Sequence, residues 1–457
     1  MQTSKLNVVI LAAGKGTRMV SSLPKVLHQV AGSSLLSHVI ACAEQLLADN
    51  IMVVYGYGGE TVRQAIPQDN ITWVSQAEQL GTGHAVQQAM PHLSADGVCL
   101  ILLGDVPLIT ADTCRSLLRK AEQGLALLTV EKPDPTGYGR ILRGFDGHVQ
   151  AIVEEKDATP EQRAVREVNS GIMAMPIQLL KDWLGRLDNR NAQGEFYLTD
   201  IVGMAVQQGV KVQSELAEDE WEVAVINSKL DLAAVERVYQ RSHARRLMQA
   251  GVTLRDPERL DVRGELTTGH DVEIDVGCVF EGKVQLGDNV SIGPYCVIKD
   301  AVLATGSVIA AYSHIDSAQV GENSRIGPYA RLRPGTELMA DTHIGNFVEI
   351  KNSQVGQGSK INHLSYVGDS TVGKQVNIGA GTITCNYDGV NKYRTVIGDC
   401  AFIGSDTQLV APVTVEAGAT IGAGSTITRD APADTLTLSR SKKITVAGWR
   451  RPQKKAK

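Results

Sequence analysis

"VSIGPYCVIKDAVLATGSVIAAYSHIDSAQVGENSRIGPYARL", residues 290–332, sets an aliphatic residue at Ile292, Ile298, Leu303, Ile309, Ile315, Val320, Ile326 and Leu332. The step is six residues, with occasional five-residue steps such as 298 to 303, 350 to 355 and 367 to 372 that mark corner deletions. No helix satisfies a strict period of six, and the density of Gly and Asn argues against one. Short-period repetition is the signature of a β-solenoid, whose coils bury their aliphatics only against neighbouring coils. The pattern starts at Leu286 and continues through Leu338, Ile344, Ile350, Val355, Ile361, Val367, Val372 and Ile378. It breaks once and resumes at Ile397, Ile403, Leu409, Val415, Ile421 and Ile427.

Upstream the chain is written differently. Apolar runs at Val8–Ala12, Ile51–Tyr55, Val98–Leu103 and Leu125–Val130 alternate with helix-compatible stretches such as Leu35–Leu47. Strand–helix alternation predicts a mostly parallel sheet covered by helices. "SKLDLAAVERVYQRSHARRLMQAG" has helical spacing and stops at Gly251, which predicts a linker helix. The expected organisation is therefore an α/β domain over 1–227, a linker helix over 228–250 and an all-β domain over 251–457.

Composition narrows the class. Of 457 residues, 43% are hydrophobic and 21% charged, as in a globular protein with more than one core. A formal net charge of −5 argues against general nucleic-acid binding, which needs a positive surface. Seven cysteines, at 42, 99, 114, 278, 296, 385 and 400, form no CxxC pair and read as reduced thiols. No apolar run reaches membrane-spanning length and no signal-type segment precedes Asn7, so a cytoplasmic protein without membrane partners is expected.

The first chemical motif is "VVILAAGKGTRM", residues 8–19. It is neither a Walker P-loop nor a dinucleotide fingerprint, since Met19 stands where a third glycine would be needed. Gly14 and Gly16 let backbone N–H groups approach an anion, with Thr17 and Arg18 following. With "LPKVL", which adds Lys25, the spacing L-x-x-G-x-G-T-R-x-x-x-x-x-P-K resembles the signature of sugar-phosphate nucleotidyltransferases.

Further segments resemble that family in order: "QAEQLGTGHA", "LLGDVPL", "DPTGYGRI", "IVEEKD", "EVNSGI" and "VINSKL". The resemblance implies a Rossmann-like mixed sheet and a UTP and sugar-nucleotide site. That site would be made of Leu11, Ala12, Ala13, Gly14, Lys25, Gln76, Gly81, Thr82, Leu103, Gly104, Asp105, Gly139, Glu154, Asn169 and Asn227. Arg18 and Lys25 would be the catalytic cations, and Asp105 and Asn227 the Mg²⁺ ligands. The residue types suit the chemistry: a sugar 1-phosphate is already ionised, so its attack on an α-phosphate needs charge neutralisation and alignment and no general base. Two positions depart from the family. Leu103 replaces a usual Tyr, and Val225 replaces a usual Gly, where a positive φ would be strained for a β-branched residue.

The repeat half resembles the hexapeptide left-handed parallel β-helices, which form triangular prisms and trimers with ligands between neighbours. A bare prism could serve only as a trimerisation rod, but this one carries "ARLRPGT", "EIKN", "NHLSYVGD" and the interrupting "NIGAGTITCNYDGVNKYRT". His363 follows Ile361 by two and so lies off the aliphatic row. Hexapeptide acyltransferases use such a His as base, with acetyl-CoA as donor. Both halves together resemble the bacterial bifunctional uridyltransferase/acetyltransferases that make UDP-N-acetylglucosamine, a precursor of peptidoglycan and lipopolysaccharide. That resemblance makes His363 the base, oriented by Glu349, and assigns glucosamine 1-phosphate to Arg333, Lys351, Tyr366 and Asn377. It assigns acetyl-CoA to Ala380, Asn386, Tyr387, Ser405, Ala423 and Arg440, and implies a homotrimer through the β-helix. The basic tail from Arg440 could meet the CoA phosphates; beyond Trp449 a solvated end is the equal alternative.

Overall fold

The computed structural model describes residues 5–451; residues 452–457, the last of the basic tail, lie outside the described ones. The chain divides into two compact units, one ending at Gln240 and one beginning at Arg241. The division falls inside the helix Lys229–Gln249.

The first unit is a mixed sheet between two helical layers. Its strand order is Lys211–Leu216, Gly124–Glu131, Glu167–Pro176, Val98–Leu103, Leu6–Ala12, Asn50–Tyr55 and Ile71–Ser75. Only Glu167–Pro176 runs antiparallel to its neighbours along this path. A hairpin, Arg140–Arg143 with Val149–Val153, pairs onto that strand through Val168 and Arg140. Alternation along Leu6–Ala12 sends Val8 and Ile10 to one face and Val9 to the other, and each face has its own core. Helices Leu35–Gln45 and Ala111–Ala121 cover the first face, and Thr82–Ala89, Ile177–Leu184 and Asp200–Gln207 the second. Ser34 caps Leu35–Gln45 by accepting from the Ser37 N–H, and Thr110 does the same for Ala111–Ala121. Leu6–Ala12 pairs in parallel with Asn50–Tyr55 on one side and Val98–Leu103 on the other, so the chain's direction of progress reverses there. The carboxyl ends of parallel strands beside such a reversal are where open α/β sheets bind ligands.

The second unit is a left-handed parallel β-helix. One sheet of eleven short strands runs from Thr253–Leu254 to Leu436–Thr437, and a seventeen-strand sheet makes up the rest of the wall. Successive coils stack like on like: Ile298 pairs with Ile315, and Leu332 with Ile350, which pairs with Val367. The repeat aliphatics form one continuous core, with Ile309, Ile344, Ile361 and Leu409 wholly buried. The corners turn through left-handed backbone, and many are not glycine: one row holds Tyr295, Tyr312, Tyr329, Phe347 and Leu364 at φ between 49° and 59°. The four aromatic rings stack in sequence with centroids 5.3, 5.0 and 5.3 Å apart. The interruption in the period is a loop between strands Ile383–Cys385 and Thr395–Ile397, tied by a bridge between Tyr387 and Lys392.

Candidate active sites

At the strand reversal the chain leaves Ala12 and turns under Gly14 and Gly16. Space around the Gly14 Cα is open, as close approach of an anion to the backbone requires. Ala12 and Ala13 are buried beneath the turn, and Gly104 joins it by donating its N–H to the Leu11 carbonyl at 2.9 Å. Beside the turn lies a cleft of about 330 Å³. Eight of the residues expected from sequence line it: Leu11, Arg18, Thr82, Leu103, Gly139, Glu154, Asn169 and Asn227.

Lys25, Asp105 and Asn227 form a cluster at its edge. The Lys25 ammonium pairs with the Asp105 carboxylate and donates to Asn227 Oδ1 at 2.9 Å. Three neighbouring hydrogen bonds hold the backbone around the cluster. Ile226 N–H donates to the Asp105 carbonyl at 3.1 Å, and the Asp231 carboxylate accepts from the N–H groups of Asn227 and Ser228 at 2.9 and 2.8 Å. Asp231, at the start of the long helix, escaped the sequence reading; the short spacing N-S-K-L-D at an incipient helix is the capping signal that would have marked it.

The part of the cleft expected to hold the sugar is shaped by contacts between distant segments. Gly139 must be glycine, since a Cβ there would meet Ile152 at 2.9 Å and the Glu154 carboxylate at 3.4 Å. Burial lifts the Glu154 carboxyl above its ordinary range; Asp157 and Glu195 add to this, while a 2.9 Å bond from the Thr199 hydroxyl and the nearby Arg140 oppose it. Thr199 was not foreseen. Asn169 turns its carbonyl oxygen onto the Gly171 N–H at 3.1 Å, which leaves its amide nitrogen for a ligand. Gly81 sits at φ 111°, where a side chain would strike the Phe196 backbone at 2.6 Å. Gln76 is buried and its amide nitrogen donates to the Gly81 carbonyl at 3.1 Å, so it shapes the turn that presents Thr82. Leu103 packs against Gly171, which has no room for a Cβ beside it. The strain expected at Val225 does not occur: Val225 is absent from the positive-φ residues and lines the cleft in ordinary backbone.

In the β-helix, register gathers a second group. Asn346 and His363 are partners on adjacent coils, each two residues beyond the aligned Ile344 and Ile361. Ala380, Ser405 and Ala423 stand two beyond Ile378, Ile403 and Ile421, which align in turn. His363 and three of the residues expected to hold acetyl-CoA, Ala380, Ser405 and Ala423, thus form one file along one edge. His363 Nδ1 lies 3.0 Å from Asn346 Oδ1. An amide oxygen can only accept, so in the neutral imidazole this contact places the proton on Nδ1 and the lone pair on Nε2.

Here one expectation is corrected. Glu349 is not the partner of His363 within this chain; it pairs with Arg333 at 2.8 Å and lies 3.7 Å from Arg331, because the register sets Arg331 beside Glu349. Asn346, which carries no charge to draw notice, takes the place assigned to Glu349.

Across the corner, Tyr366 follows Glu349 in register and Lys351 stands one coil beyond Arg333. Asp369, also missed, accepts from the amides of Asn352 at 2.6 Å and of Asn386, and lies 3.8 Å from the Lys351 ammonium. Burial alone would raise the Asp369 carboxyl, but those amides with Lys351 and Lys392 hold it below its ordinary range. Lys392 beside Lys351, ahead of burial, lowers the Lys351 ammonium. Asn386 is therefore committed to Asp369 through its side chain and anchors the loop, while Tyr387 is exposed upon it. Asn377 follows Lys360 in register, and the Arg440 guanidinium lies over Gly422, where a Cβ would come within 2.9 Å of it.

All seven cysteines are free thiols, five of them buried. No helix of the described residues is long and apolar enough to cross a membrane.

Comparison with known proteins agrees with this division. A MobA-like NTP transferase domain matches residues 8–254, a GMPPB C-terminal domain matches residues 262–344, and six bacterial transferase hexapeptide repeats match residues 394–429. "Bifunctional protein GlmU" of Methylobacillus flagellatus is 67% identical over 451 residues, 99% of this chain and 98% of the relative. Proteins of the same name from Chromobacterium violaceum and Nitrosospira multiformis are 57% and 58% identical, each over 99% of both chains.

Proposed function

The chain belongs to the GlmU family of bifunctional proteins, and from that premise we propose that it makes UDP-N-acetylglucosamine by two successive transfers. The β-helix acetylates glucosamine 1-phosphate from acetyl-CoA. The α/β unit then joins the product to UMP from UTP and releases pyrophosphate. The observation that carries this reading is that one chain holds two sites of different chemistry. One is a pair of oxygen donors clasped by a cation at a strand reversal; the other is an imidazole of defined tautomer on the edge of a β-helix.

In the acetyl transfer the sugar amine attacks the thioester carbonyl, the N–C bond forms and the C–S bond breaks. His363 Nε2 takes the proton that the amine must lose, and the departing thiolate of CoA is protonated in turn. Arg333 and Lys351 receive the sugar phosphate, with Tyr366 and Asn377 around the ring. Ala380, Ser405 and Ala423 form the ledge for acetyl-CoA, with Asn386, Tyr387 and Arg440 near it.

In the uridylyl transfer the phosphate oxygen of N-acetylglucosamine 1-phosphate attacks the α-phosphorus of UTP, and the bond to pyrophosphate breaks. The turn Leu11–Gly14 carries the triphosphate, and Arg18 and Lys25 neutralise the charge that builds on the departing end. Glu154, Asn169 and Gly139 hold the sugar, while Gln76, Gly81 and Thr82 face the base. Asp105 and Asn227 suit Mg²⁺: both offer hard oxygens, and the space between them already accepts a cation. Among the described residues no three His, Cys, Asp or Glu form a complete cage, which fits an ion that takes one or two protein oxygens and completes its shell from phosphates and water. When bound, it supplies charge neutralisation at the α-phosphate.

The exposed corner row Tyr295, Tyr312, Tyr329, Phe347 and Leu364 continues along the His363 edge and supports a homotrimer in which a neighbouring copy covers it. The reading also makes the enzyme cytoplasmic, where its nucleotide and CoA substrates are found, and a supplier of peptidoglycan and lipopolysaccharide precursors.

The test follows both products from glucosamine 1-phosphate, acetyl-CoA, UTP and Mg²⁺. Wild type is expected to release CoA and form UDP-N-acetylglucosamine. His363→Ala is expected to do neither, yet to form the nucleotide sugar from N-acetylglucosamine 1-phosphate. CoA release by the variant at the wild-type rate would overturn the assignment of the base.

A further inference from the structure

The Lys25 ammonium occupies the same two oxygens that the metal reading requires: it pairs with the Asp105 carboxylate and donates to Asn227 Oδ1 at 2.9 Å. The arrangement is sheltered, with the Lys25 and Asp105 side chains 11% and 16% exposed, so water does little to weaken it. It is also built for. Gly16 stands at φ 58° directly over the lysine stem, where a Cβ would lie 2.6 Å from Lys25 Cβ and 3.3 Å from Cγ and Cδ. Only glycine at 16 leaves the groove in which the stem lies. The backbone that carries the two acceptors is tied down, at the Asp105 carbonyl by the Ile226 N–H and at the Asn227 N–H by the Asp231 carboxylate.

We propose that Lys25 is the resident counter-cation of the Asp105–Asn227 pair, and that a divalent cation takes the pair only by displacing it, which frees the ammonium for an incoming phosphate. The inference rests on the reading of Asp105 and Asn227 as metal ligands. Its physical basis is that a sheltered carboxylate without a cation is costly, whereas two cations cannot share the same oxygens. Metal alone must then compete with the lysine and binds weakly. Metal arriving with a triphosphate does not, because the phosphate gives the displaced ammonium a new partner. The lysine thereby couples metal entry to nucleotide entry.

The experiment titrates the full-length protein with Mn²⁺, without nucleotide, and follows free ion by electron paramagnetic resonance. Lys25→Met keeps the stem and removes the charge, and is expected to bind Mn²⁺ about tenfold tighter than wild type, since the competent state no longer has to be freed. Asp105→Asn is expected to abolish this site in either background. Equal or weaker binding by Lys25→Met, with Asp105→Asn still abolishing it, would overturn the inference and leave the metal site standing. Unchanged binding in Asp105→Asn would overturn the metal site and the inference with it. A second measurement needs no variant: amidination of wild type without nucleotide, read by mass spectrometry at Lys25, is expected to rise several-fold at the Mn²⁺ concentration that the titration shows to fill the site. No rise would equally overturn the inference.

Discussion

At the scale of single residues, His363 depends on its neighbour one coil away. Asn346 can accept and cannot donate from its oxygen, which keeps the proton on Nδ1 and the lone pair on Nε2. Asn346→Leu lets the imidazole hold its proton on either nitrogen and lets the ring rotate. Its kcat for CoA release is expected to fall roughly ten- to a hundredfold, less than the about 10²–10⁴-fold of losing the base itself, with uridylyl transfer unaltered. Glu154 shows the opposite balance, a group whose function costs stability. Burial, first, with Asp157 and Glu195, raises its pKa above the ordinary value. A raised carboxyl pKa means that the folded state holds the proton more tightly than the unfolded state. The protein is therefore most stable with respect to this group in acid, and loses that stability as pH climbs from the ordinary glutamate range through the raised value. Glu154→Gln keeps an oxygen for the Thr199 hydroxyl and removes the charge. Thermal melting at about pH 8 is expected to rise by a few degrees, the gain vanishing near pH 4, while turnover of N-acetylglucosamine 1-phosphate falls.

At the scale of the element, the β-helix pays for its corners in left-handed backbone, which costs an L-residue about 1–2 kcal/mol relative to glycine. Tyr312 stands at φ 59° and stacks on Tyr295 and Tyr329. The stacks return about 0.5–1.5 kcal/mol each, which offsets the backbone. Removing the ring therefore exposes the backbone cost. Tyr312→Ala loses both stacks and keeps the strained φ; Tyr312→Gly loses both stacks and relieves it. Denaturant unfolding is expected to place the glycine variant above the alanine variant by about 0.5–1 kcal/mol, the reverse of their usual order in a strand. Alanine the more stable of the two would show that these corners are not strained. The loop after Cys385 follows the same logic from the polar side: Asp369 gathers Asn352, Asn386 and Lys351, so the interruption in the repeat is anchored to the wall.

At the scale of the molecule, two transfers of different chemistry occupy two separately packed units, and the difference gives a clean separation. On the proposed reading, uridylyl transfer uses a divalent cation at Asp105 and Asn227, whereas the acetyl transfer uses an imidazole and cationic side chains alone. Chelation by EDTA is expected to stop UDP-N-acetylglucosamine formation and leave CoA release from glucosamine 1-phosphate and acetyl-CoA near its original rate; loss of both would show that the acetyl site also requires metal.

Much of this is legible in the sequence. A period of six in aliphatic residues has one structural solution, because only a coiled parallel sheet brings every sixth side chain to a common interior. Strand ends marked by Gly14, Gly104 and Gly139 are local signals, since they report how much room the backbone itself leaves. Partnership was not legible. Lys25 and Asn227 are joined across 202 positions, and His363 finds Asn346 rather than Glu349 only because the coils stack in one register. Identity and spacing determined the two folds and most of the chemistry, because backbone preference and hydrophobic period act locally. The tertiary structure alone decided which oxygen faces which proton, because hydrogen bonds and ion pairs depend on distances of a few ångströms between residues remote in the chain.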